Sequence, residues 1–199
     1  MAGKSFLVPI FCCLLLLSGC EKNETKYIAD NQTNGLAVFS NTGNNIMTCF
    51  INGSPWRTDN RIVGGWGPGS TDFSIFKQHD SSFHYSLVFV WPGNFVNDSG
   101  YIDMVEFHLF IPANFSQTNF DALQGKRITI DSTNGFFKLG IYSLPGTGTI
   151  YFNRASYDSA ASKSGNAGEL SGLFEANIAG YTITQARFDN NLPTGSIQF

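Results

Sequence analysis

Two runs constrain what this chain can fold into. Residues 83–91 read FHYSLVFVW and residues 101–111 read YIDMVEFHLFI, with the loop PGNFVNDSG between them. Successive side chains of an extended strand point to opposite faces. One face then carries Phe83, Tyr85, Leu87, Phe89 and Trp91 beside Tyr101, Val105, Phe107, Leu109 and Ile111, with Asp103 its only charged member. A helix has a period of 3.6 and does not gather that set on one side. Burying a Phe side chain is worth about 1.5–3 kcal/mol, so this face belongs in a core. The two runs predict a long hairpin with one buried face.

The rest of the chain repeats the pattern in shorter pieces. IMTCFINGSPWRT, from Ile46, reads as strand, turn, strand. Its Asn52-Gly53 pair tolerates the positive φ of a tight hairpin. Further strands are expected in DFSIFK, KRITID, FFKLGIYS, GTIYFNRASY, ELSGLFEANI, YTITQARFD and a closing GSIQF. Residues 169–178 alternate cleanly, with Leu170, Phe174, Ala176 and Ile178 on one face and Glu169, Ser171, Glu175 and Asn177 on the other. That is a strand with one wet side. NFDALQG is the one helical stretch, capped by Thr118 or Asn119 and ended by Gly125. About ten strands with at most one short helix predict an all-β fold, an antiparallel β-sandwich or barrel. There is no internal repeat, and one domain is expected over 46–199.

The first residues have a different character. Lys4 precedes an apolar run, Phe6 to Leu17, that is too short for a permanent membrane span. Leu17-Ser18-Gly19-Cys20 follows it and resembles the bacterial lipobox. The resemblance implies a signal peptide over 1–19, cleavage before Cys20, and acyl chains on that cysteine. Several chains together anchor stably where one binds only marginally. An incidental cysteine in an ordinary secretory signal is the alternative. Residues 20–45 are polar and rich in Asn, Thr and Gly, the composition of a flexible tether. Glu21 does not resemble an inner-membrane retention signal, so the outer membrane is expected, on its periplasmic or its exposed side. Cys12 and Cys13 leave with the leader, so Cys49 is the only thiol left to the domain and an intrachain disulfide is excluded.

The lipobox, the INGSPWRT opening and the closing GLFEANIAGYTITQARFD resemble a group of Bacteroidota lipoproteins with a domain of unknown function. The shared positions are Asn52, Gly53 and Trp56, then Gly172, Phe174, Ile183, Thr184, Phe188 and Asp189. The resemblance covers the two ends of the domain. It implies a small all-β domain in the envelope and carries no activity.

Chemistry is harder to find. The chain has no nucleophile elbow, zinc-protease helix or phosphate-binding loop, and no cofactor is implied. A formal net charge of −3 leaves no basic footprint for nucleic acid. If Trp91 lies opposite Tyr101, then His84 lies opposite His108, with Glu106 on the same face together with Val88, Val90, Ile102 and Met104. Two imidazoles and a carboxylate could hold a divalent metal. Polar side chains on the wet side of a hairpin explain the same residues, and the register is assumed. Trp66, in the loop GGWGPGS, and Trp56, after the Asn-Gly turn, are candidates for stacking on a sugar ring, with packing the alternative. The expectation is a non-catalytic binding or structural module with a glycan or protein partner. A lipocalin-like carrier of an apolar ligand and an unrecognised hydrolase are the alternatives.

Overall fold

A computed structural model describes residues 27–58, 73–79, 85–97, 102–140, 144–158, 160, 166–194, 196–197 and 199. The elements are β1 (Ile46–Ile51), β2 (Ser54–Thr58), β3 (Ser74–His79), β4 (Tyr85–Phe95), β5 (Met104–Ile111), α1 (Gln117–Asp121), β6 (Arg127–Ile130), β7 (Gly135–Leu139), β8 (Thr147–Tyr157), β9 (Asn166–Ile178) and β10 (Tyr181–Pro193). The strands form one antiparallel sheet in the order β6-β8-β9-β10-β1-β2-β4-β5-β7, with β3 on the other edge of β4. Its two ends meet where Phe137 of β7 and Gly146, just before β8, exchange backbone hydrogen bonds of 3.0 and 2.8 Å. The sheet is therefore a nearly closed barrel, and all-β is the observed class.

Local chemistry explains the turns. Asn52 and Gly53 take φ of 50° and 80°, the conformation that the β1–β2 hairpin requires. The Asn52 side chain also clasps the β9–β10 turn: it accepts from Thr182 N–H at 2.8 Å and donates to the Gly180 carbonyl at 3.2 Å.

The barrel interior is filled by rings. Phe89 and Phe107 stack at 5.1 Å, Phe107 and Phe137 at 4.9 Å, and Phe137 and Phe174 at 5.2 Å. Trp91 lies 5.3 Å from Phe188 and 5.9 Å from Phe174. All six are buried. Gly172 makes room: a Cβ there would stand 2.5 Å from Phe188 Cζ. Cys49 is fully buried on β1, where burial pushes its thiol up and leaves it a small apolar filler.

Four expectations change. Trp91 lies opposite Val105, not Tyr101, because β4 continues through Pro92 to Phe95 and pairs there with β2. Ile102 joins the core instead of the wet face. Strand alternation begins only at Met104, and the Ile102 carbonyl turns inward to accept the Trp56 indole N–H. The helix starts earlier, at Gln117 with Ser116 as N-cap, and the Asn119 side chain accepts from Ser116 N–H at 3.0 Å. The closing strand is absent among the described residues. Phe199 packs near Tyr157 and Phe115 at 5.5 and 6.3 Å instead.

Residues 27–45, tether-like in composition, lie against the barrel. Ala29 and Ala37 form an antiparallel bridge, and Leu36 is fully buried. Ala37 N–H donates to Thr48 Oγ1 at 3.1 Å. Polar composition conceals this docking because backbone and side-chain hydrogen bonds, rather than apolar periodicity, hold the segment.

Candidate functional site

The outer face of four strands carries a groove. Directly opposed residues of antiparallel strands share a face. Arg127 on β6 opposes Tyr151 on β8, Tyr151 opposes Leu173 on β9, and Leu173 opposes Arg187 on β10. A second row runs Thr129, Thr149, Glu175, and a third Thr147, Asn177, Thr182. These rows face outward because the alternate residues Ile150, Phe152, Phe174 and Ala176 fill the core.

A bulge breaks the flatness of this face. Gln185 has φ of 53° and is an extra residue in β10, which shifts the register against both β9 and β1. Bulges bend the strand and increase its twist. Two hollows lie here. One, of about 360 Å³, is lined by Arg127, Tyr151, Leu173, Gln185 and Arg187 among others. The second, of about 420 Å³, is lined by Thr129, Asp131, Thr147, Asn177, Thr182 and Thr184 among others. They meet at Thr149 and Glu175.

Arg187 ties the groove to the N-terminal segment. Its guanidinium donates to Asp30 at 2.5 Å, to the Ala37 carbonyl at 2.9 Å and to Thr33 Oγ1 at 3.3 Å. The Arg187 hydrogen bond, followed by the one from Gln32 N–H, holds the Asp30 carboxyl below its ordinary value. A carboxylate depressed in the docked form favours docking while it is ionised. The contribution is present above the ordinary carboxylate range and is lost as pH falls through the lowered value. Asp30→Asn is expected to reproduce the acid state at neutral pH. Limited proteolysis should cut 27–39 faster in this variant, while the melting temperature of the barrel changes little.

The residues singled out from sequence fare differently. Trp56 is fully buried with its indole N–H bonded to Ile102 at 2.9 Å, so it presents no ring to a sugar. Trp66, His84 and Cys20 lie outside the described residues. Glu106 and His108 do meet, at 2.9 Å, on the outer face of β5. The His108 ring stacks on Phe136 at 4.2 Å and lies opposite Val88, so the assumed pairing with His84 is replaced by an apolar neighbour. Among the described residues no three His, Cys, Asp or Glu side chains gather where a metal could bind.

Local sequence pattern does not reveal the groove, because its residues come from four separate strands. One signal was visible, the wet side of 169–178, which includes Glu175 and Asn177. Comparison of the chain with protein-family models, with curated proteins and with solved structures gives no match.

Proposed function

We propose that this is a lipid-anchored, non-catalytic binding module of the bacterial outer membrane, and that its outer groove takes a glycan. The groove carries this reading. A sugar offers apolar C–H faces and a rim of hydroxyls. The groove offers the Tyr151 ring and the Leu173 side chain in one row, with Thr, Asn, Gln, Glu and Arg side chains around them. Both hollows fall within the roughly 300–1,000 Å³ usual for small-ligand sites. The Leu17-Ser18-Gly19-Cys20 string supports the anchor. The stacked rings along the barrel interior favour an outer site over an internal carrier cavity.

Tyr151→Ala is the test. Tyr151 is only partly buried, so its removal should leave the melting temperature nearly unchanged. Titration against a panel of envelope and host polysaccharides is expected to find a ligand for the parent protein. Affinity for that ligand should fall roughly tenfold or more in the variant, the scale of losing one stacked aromatic contact. Equal binding by both proteins would move the site elsewhere. No binding by either would remove the glycan reading.

A further inference from the structure

We infer that Ile28, Val38 and Phe39, with Tyr27, form a membrane-facing corner that seats the barrel on the lipid bilayer. The inference rests on acylation of Cys20. Ile28 is 57% exposed, Val38 43%, Tyr27 39% and Phe39 37%, an exposed apolar group on a segment whose Leu36 and Ala37 are buried. The segment's backbone brings its two arms together. Val38 N–H donates to the Ile28 carbonyl at 2.8 Å, one residue beyond the Ala29–Ala37 bridge. The arms are fixed to the barrel by Arg187 through Asp30 and Ala37, and by the Tyr27 ring, which lies 5.1 Å from the Arg57 guanidinium.

Chain length selects the occupant. Tyr27 is seven residue steps along the chain from Cys20, and a fully extended chain spans at most about 3.3–3.6 Å per residue. The acyl chains therefore enter the bilayer within about 25 Å of Tyr27. A tether that short holds this corner at a high effective concentration next to lipid. At such a boundary a Tyr ring settles at the headgroup level, and Ile, Val and Phe side chains bury at the headgroup–acyl boundary. A second protein would have to compete with a surface that is always present.

The test uses the full acylated protein in phosphatidylethanolamine–phosphatidylglycerol vesicles. An environment-sensitive fluorophore is attached at Val38→Cys, or at Phe76→Cys as a control. Phe76 on β3 is 42% exposed and so matches Val38. Cys49 is fully buried and does not compete for label in the native state. The label at 38 is expected to shift to the blue, to be quenched by nitroxide-bearing lipid, and to lose several-fold in quenching by aqueous iodide. The label at 76 is expected to stay aqueous. A label at 38 as open to iodide as the label at 76 overturns the inference. Protection from iodide without quenching by the lipid nitroxide also overturns it, in favour of a protein cover. Intact mass separates the premises. Unacylated protein defeats both the lipoprotein reading and the membrane corner, whereas acylated protein with an aqueous label at 38 defeats only the corner.

Discussion

Trp91→Ala is expected to lower the unfolding free energy by about 3–5 kcal/mol, as a large core truncation does. Trp91 is fully buried, and it packs near Phe73 at 5.4 Å, Phe188 at 5.3 Å and Phe174 at 5.9 Å. These contacts join β4 to β9 and β10 across the barrel, so their loss weakens the whole closure. A polar contribution adds to the packing. The indole N–H donates to Asn190 Oδ1 at 2.9 Å, and Asn190 is itself fully buried with no partner for its Nδ2 among the described residues. Removing the indole strands the remaining half of that amide, and an unsatisfied buried group costs about 1–3 kcal/mol. Trp91→Phe keeps most of the ring and isolates the polar part. Trp91→Phe combined with Asn190→Leu is expected to be more stable than Trp91→Phe alone, because the double variant leaves no unpaired amide. Urea unfolding curves of the three variants decide it. A double variant no better than the single one would show that the hydrogen bond contributes little.

The second large effect is expected at Asp189, which is 3% exposed. Its carboxylate accepts from the backbone N–H of Gly43 at 2.8 Å, Asn44 at 3.1 Å and Thr42 at 3.2 Å, and from the Ser40 hydroxyl. Four donors from one loop thus converge on one side chain of β10. Asp189→Ala leaves all four without that acceptor, and a cost of about 2–4 kcal/mol is expected after the loop relaxes toward water. The signature differs from that of Trp91. Amide exchange should rise first at 42–44 and proteolysis in 27–45, with the barrel amides following only at global unfolding. Uniform loss of protection would instead make the loop part of the barrel's cooperative unit. Asp189→Asn should sit between the alanine variant and the parent, since one acceptor oxygen remains.

Both sites show which parts were legible. The core side of β4 and β5 was readable from its period of two, and Leu87, Phe89, Trp91, Val105, Phe107, Leu109 and Ile111 are all buried. That Trp91 needs Asn190 was not readable, because the partners stand 99 residues apart. Asp189 ends an expected strand and the closing motif, and nothing local marks it as the acceptor for residues 40–44. The Glu106–His108 contact was legible because the two lie on one strand face, whereas pairing His84 with His108 required a register that local pattern does not specify.

The sequence by itself determined the β class, the turn at Asn52-Gly53, the core faces of β4, β5 and β9, though not the burial of Ser171, and the chemical character of residues 14–24. Each of these depends on neighbours a few positions apart: side-chain alternation, a tolerated φ, or a short motif. Tertiary structure alone decided the β4–β5 register, the closure through Phe137 and Gly146, the docking of 27–45 and the groove. Arg127, Tyr151, Leu173 and Arg187 form one row only because three strand pairings bring them side by side. Pairing free energy depends on which strands meet and in what register, and no single stretch of the chain contains that choice.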